Sequence, residues 1–284
     1  MSTTADRTTD HYDVLVVGSG FGGSVTALRL SEKGYRVGVL EAGRRFADHE
    51  FATTSWRLRD YLFAPALGLL GIQRLDLLRN VLVISGAGVG GGSLVYGNTL
   101  YEPPQSFYED PHWRGVTDWR SELAPWYDQA KRMLGVVTSP RITPADRVMQ
   151  QVADDLGASW TPTEVGVLFG DTPGEPIPDP YFGGAGPERN ACTHCGECMT
   201  GCRHNAKNTM PKNYLHLAES AGARVHPLTT VNDVRPRAAG GYAVVTHRTG
   251  RTGRRGRRTF TADQVVFSAA ALGTQRLLHR LRDR

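Results

Sequence analysis

Two groups of residues in this chain have types and spacings that could do chemistry. The first is glycine: Gly18-Ser19-Gly20-Phe21-Gly22-Gly23 reads G-x-G-x-x-G. In such a turn Gly18 permits the tight bend, Gly20 lets main chain approach a diphosphate, and Gly23 lets a helix lie close to its strand. An anion seated there meets unpaired N–H groups and the positive end of a helix dipole. Glu41 follows at about 20 residues' distance, where a carboxylate accepts hydrogen bonds from a ribose diol and repels an added 2′-phosphate. The second group is sulfur: Cys192, Cys195, Cys198 and Cys202 are the chain's 4 cysteines, spaced C-x2-C-x2-C-x3-C. Thiolates at these gaps can converge on one centre, and the spacing is that of bacterial [4Fe-4S] sites. Arg203 stands where those sites have proline, and their fourth cysteine serves another cluster whose remaining ligands this chain lacks. Zinc, with His194 or His204 as a nitrogen ligand, stays open beside iron-sulfur, as do a disulfide and metal-free thiols.

A further glycine run, Gly86-Ala87-Gly88-Val89-Gly90-Gly91-Gly92-Ser93, has no counterpart in a plain nicotinamide site. Bare main chain can pass against a flat ring and leave N–H groups free for its polar edge, so this run favours a flavin over a merely mobile loop.

The elements that must position these residues are legible nearby. Residues 14–17 are apolar without alternation, as in a parallel strand covered on both faces. Residues 24–30 suit a helix packed on the sheet, and residues 35–40 a second strand ending at Glu41. Another apolar stretch, 81–84, leads into the second glycine run. A helix is expected over 118–135, capped by Thr117, stopped by Gly135, with Leu123, Tyr127, Ala130 and Leu134 on one face. Residues 171–180 are proline-rich and read as loop.

Composition sets the outer limits. At 284 residues, 40% hydrophobic and 21% charged, the chain is an ordinary globular one with room for one large core or two modest ones. Its +5 formal charge is almost all arginine. The densest basic run, 251–258, lacks interleaved aromatics and lies between alternating apolar stretches, so it reads as a solvated hairpin turn and nucleic acid is not an expected partner. The first ten residues are polar, with no secretion signal, which points to the cytoplasm. No window offers the ~18 apolar residues of a membrane span. The segment 62–72 reads either as a buried connection or as an apolar lid over a lipid substrate that touches a membrane.

Taken together, DVLVVGSGFGGSVTALRL, Glu41-Ala42-Gly43, GAGVGGGSLVYGNTLY, TDWRSELAPWYDQAKRMLGV, DPYFGGAG, GCRHNAKNTMPKNYL and QVVFSAAALGTQRLL resemble the glucose-methanol-choline (GMC) oxidoreductase family, within it the actinobacterial cholesterol oxidases. The resemblance covers nearly the whole chain. It implies that Gly18, Gly20, Phe21, Gly22, Gly23 and Glu41 hold the ADP half of FAD, that Gly92, Ser93, Gly97 and Asn98 lie beside the isoalloxazine, and that main chain at Val231 meets the adenine. Ala270 stands where the family usually has glycine, and its methyl would crowd the cofactor. The implied activity is FAD-dependent oxidation of an apolar alcohol, a sterol first, by hydride transfer to flavin. The family's proton-handling histidine and asparagine lie in a C-terminal segment, and none of the 9 histidines here matches it, so no catalytic residue is assigned. The chain is expected to be an N-terminal part, completed by a separate C-terminal chain. The alternative is an inactive fragment or an electron-transfer module, in which a [4Fe-4S] cluster would pass electrons to an acceptor.

The expected fold is α/β: a Rossmann-like FAD-binding domain made of residues 1–105 and 224–284, with an inserted α+β cap or substrate region at 106–223 that carries the cysteines.

Overall fold

The computed structural model describes residues 10–251 and 256–282. Most of the polar N-terminal stretch and the middle of the basic run, 252–255, lie outside the described residues.

β1 (His11–Val17) leads through the first glycine turn into α1 (Phe21–Glu32) and on to β2 (Val37–Leu40). A ribbon of β3 (Gln73–Leu77) and β4 (Leu82–Gly86) precedes α2 (Trp119–Leu134) and α3 (Pro144–Asp155). The chain then returns with α4 (Tyr214–Ser220), β5 (Arg224–His226), β6 (Thr229–Pro236), β7 (Tyr242–Arg248), β8 (Arg257–Phe267) and α5 (Ala270–Arg282).

Six strands form one sheet in the order β5-β2-β1-β8-β7-β6. The first four run parallel, and β7 and β6 extend the sheet antiparallel. Val16 sits in register between Val39 of β2 and Val266 of β8, so the carboxyl ends of three adjacent parallel strands finish side by side. Those ends deliver Gly18, Glu41 and Ser268 to one place, the edge where open α/β sheets take their ligands.

Both faces of the sheet are covered, which is why residues 14–17 show no alternation. On one face Val14, Val16, Val37 and Val39 pack with Ala27 and Leu28 of α1 and with Tyr214, Leu215 and Ala218 of α4. On the other, Leu15 and Leu40 pack with Val244, Phe260 and Ala262, and Leu281 of α5 closes over them. Each fully buried Val or Leu of this kind contributes about 1.5–3 kcal/mol.

The structure shifts three local expectations. The second strand begins at Val37 rather than Tyr35, because Tyr35 and Arg36 are exposed and lie before the paired ladder. The cap of α2 is Asp118, whose side chain accepts from the Ser121 amide, one residue after Thr117. Residues 62–72 form a small hairpin, Phe63–Ala64 against Leu69–Leu70, with Leu67 at its tip 77% exposed and Ile72 buried at its base. No helix among the described residues is long and apolar enough to cross a membrane.

Candidate functional site

The two glycine runs meet at the carboxyl edge of the sheet. Gly18 has a φ of 101°, and a Cβ there would stand 2.4 Å from the Ser268 carbonyl oxygen. A Cβ on Gly23 would stand 2.0 Å from the Gly18 carbonyl oxygen, so only glycine lets α1 close on the turn. From the second run, Gly91 adopts a φ of 54°, and its missing side chain leaves room for Gly20, whose Cα would be 2.7 Å from a Cβ. Gly20 itself is open: the nearest atom to an added Cβ is Gly91 Cα at 4.0 Å. α1 starts at that gap with no side-chain cap and no acidic residue in its first turn, which leaves its first N–H groups available to an anion.

Beneath this gap lies a cleft of about 280 Å³ lined by Gly18, Gly20, Glu41, Gly91, Gly92, Val231 and the first turn of α5, including Ala270. Glu41 is buried. One of its oxygens accepts from the Ser19 amide at 3.1 Å and hydroxyl at 2.7 Å, the other from the Gly43 amide at 2.8 Å. Burial pushes this carboxyl up, and the bonds from Gly43 and Ser19 oppose the shift. Ala270 has a φ of 56°, so the non-glycine residue at this position carries backbone strain as well as a methyl group at the cleft wall.

The remaining candidate flavin contacts divide. Phe21 is half exposed, sets its ring edge-on to Tyr96 at 6.0 Å and lies 3.8 Å from where a Cβ on Gly92 would be. Gly22 lies on α1 beside Ser268. Ser93 is buried, its hydroxyl donating to the Gly90 carbonyl at 2.7 Å and accepting from the Met210 amide at 3.0 Å; its place is inside the loop. Gly97 and Asn98 line a second cavity of about 550 Å³. Asn98 is 7% exposed, adopts a φ of 67°, and its Oδ1 is buried with no hydrogen-bond partner.

The four cysteines line that same second cavity. Among the described residues, no group of three or more ligand atoms within 4.8 Å of one another includes more than one of these thiols. His194 stacks on Phe169 at 5.7 Å.

Sequence reasoning missed two buried cations, one of which ties the cysteine loop to the end of the second glycine run. Lys207 Nζ donates to the Leu94 carbonyl at 3.0 Å and the Cys198 carbonyl at 2.8 Å, and lies 4.5 Å from the Tyr96 ring centroid. Burial pulls this ammonium down to about 8. Arg189, equally buried, donates to the Asn205 and Lys207 carbonyls and to Asn208 Oδ1 at 2.6 Å. Both cations stand in polar stretches beside cysteines, a pattern that reads as surface until the fold closes over it.

Residues 16–61 match the NAD(P)-binding Rossmann-like domain, and residues 186–280 match the GMC oxidoreductase domain. Over that second stretch the chain is similar to GMC oxidoreductases, on a Rossmann-like nucleotide-binding fold. It is 63% identical over 279 residues to a cholesterol oxidase of Mycobacterium tuberculosis, covering 96% of this chain and 48% of that protein. With a cholesterol oxidase of Acinetobacter baumannii it shares 45% over 281 residues, 95% of this chain and 50% of the other. The chain thus spans about half the length of these curated relatives. Among solved structures, the crystal structure of pyridoxine 4-oxidase from Mesorbium loti superposes with a TM-score of 0.61 at 19% identity, over 95% of this chain and 51% of that one, a likeness of fold.

Proposed function

We propose that this chain is the cofactor-binding half of an FAD-dependent alcohol oxidoreductase whose substrate is a sterol or a similarly apolar alcohol. The observation that carries the proposal is the meeting of two glycine runs at an open, uncapped helix start, with a buried carboxylate on the floor of the same cleft. An FAD diphosphate would lie over Gly20 at the start of α1, the adenosine end toward Glu41 and main chain at Val231, and the flavin end past Gly92 toward Gly97 and Asn98. The residues fit the group: Gly20 leaves a space that any side chain would fill, and the Asn98 Oδ1 has no donor among the described residues. When bound, FAD supplies a hydride acceptor for an alcohol carbon. This chain's own residues would orient it. Glycines bring N–H groups to the phosphates, Glu41 excludes a 2′-phosphate by charge, and the Lys207 bridge fixes the run after Gly92.

The sterol follows from the identity with two cholesterol oxidases, and membrane contact through the 62–72 hairpin would follow from a sterol substrate. Leu67, at the exposed tip, is the residue through which to test that contact, because Leu69 and Leu70 are half-buried. The function is tested by joining this chain to the C-terminal half of the M. tuberculosis relative, loading FAD and adding cholesterol without oxygen. Bleaching of the flavin absorbance is expected. A flavin that stays oxidised with cholesterol but bleaches with a small polar alcohol would refute the substrate class.

A further inference from the structure

The cysteine loop gathers a different ligand set from the one its spacing suggests. The Cys195 sulfur, a Glu197 carboxylate oxygen and a His204 ring nitrogen all lie within 4.8 Å of one another. We propose that these three residues form a binding site for one divalent transition-metal ion, zinc by the chemistry of the donors. Thiolate, imidazole and carboxylate are each zinc ligands, and three protein ligands leave a fourth position open. A thiolate and a carboxylate together balance a dication when the imidazole is neutral. All three residues belong to the wall of the 550 Å³ cavity, so the fourth position would be within reach of small molecules entering there.

Turns and main-chain hydrogen bonds position the backbone around these residues. Gly196, with a φ of 76°, turns the chain between Cys195 and Glu197. The Glu197 carbonyl accepts from the Thr200 amide at 3.0 Å and hydroxyl at 2.9 Å, and Lys207 holds the next carbonyl, that of Cys198. Gly201 seats the loop on Phe51, where a Cβ would stand 2.3 Å from the ring. On the far side, Asn205 follows His204 with a φ of 55°, and its amide donates to the Glu188 carbonyl at 2.9 Å and Asn190 Oδ1 at 3.1 Å. Among the described residues the Glu197 carboxylate makes no hydrogen bond or ion pair, so a ligand role displaces nothing.

The chain, purified reduced and without chelator, is expected to carry one zinc per molecule by elemental mass spectrometry. Cobalt(II) in its place should give a thiolate-to-cobalt charge-transfer absorption that Cys195→Ser abolishes and that Cys198→Ser and Cys202→Ser leave intact. Glu197→Gln and His204→Ala should each weaken cobalt binding by more than about tenfold. The ligands lie at the surface of the loop, and circular dichroism checks that each variant is folded. Loss of the band in Cys198→Ser or Cys202→Ser, iron with acid-labile sulfide in place of zinc, or a chain that binds no metal would each overturn the site.

Discussion

At the scale of single residues, Glu41 and Ala270 decide how the cleft behaves. Both Glu41 oxygens face N–H donors, one from Ser19 and one from Gly43, so both must accept. A glutamine can supply only one acceptor there and would set its amide against a main-chain N–H. Glu41→Gln is therefore expected to lose about 1–3 kcal/mol in chemical denaturation, the cost of an unsatisfied buried donor. An unchanged midpoint would show that the carboxylate is not held as described. Ala270 predicts the opposite sign. A non-glycine residue in the left-handed region costs about 1–2 kcal/mol, and Gly273 nearby shows no such φ. Ala270→Gly should raise the melting temperature and, by removing a methyl from the cleft wall, tighten FAD binding. A lower melting temperature together with weaker binding would contradict both effects.

At the scale of elements, β1 and β5 are linked by a side-chain contact that makes the sheet pH-sensitive. The Tyr12 hydroxyl lies 2.7 Å from His226 Nε2, and Phe260 packs on both rings. Burial first, then the Arg258 guanidinium, hold His226 below the ordinary imidazole value of 6.5, with Arg224 adding to the depression and Asp10 opposing it. Above that value the imidazole is neutral in folded and unfolded chains alike, and its contribution is complete. Below it the unfolded chain takes the proton first, so stability falls until the lower folded value is passed. His226→Gln keeps a partner for Tyr12 and should flatten the loss of melting temperature between about pH 6.5 and 5; an equal slope in the variant would place the sensitivity elsewhere. The strand, turn and helix from Val14 to Leu30 were readable in the sequence because glycine spacing and unbroken apolar character are local signals. The ribbon of β3 and β4 was not. Residues 81–84 are an apolar stretch in the sequence, yet Ile84 is 62% exposed. Apolar character says that a residue wants cover but not whether the cover is present. The bridge from Lys207 to Leu94 was equally hidden, since 113 positions separate its ends.

For the whole molecule, that ribbon presents exposed apolar surface. Leu75 pairs across it with Ile84 and Leu77 with Leu82, making one aliphatic face, while the other face is tied to α5 through Asp76 and Arg276 at 2.8 Å. Leu77 is 82% exposed. Two-stranded ribbons are marginal alone, and contiguous apolar surface of this kind associates. Leu77→Lys combined with Ile84→Lys should reduce self-association in sedimentation velocity and leave the main sheet intact by circular dichroism; an unchanged distribution would show that this face is not what associates. Everything functional still depends on one cradle being built for a diphosphate, and Gly20 offers the direct measurement. An added side chain there meets nothing closer than Gly91 Cα at 4.0 Å, so Gly20→Val should fold as the parent does. In an FAD titration followed by fluorescence, the parent chain should give saturable quenching and the valine variant none at equal folded content. Quenching of equal strength in both, or in neither, would contradict a diphosphate cradle at Gly20.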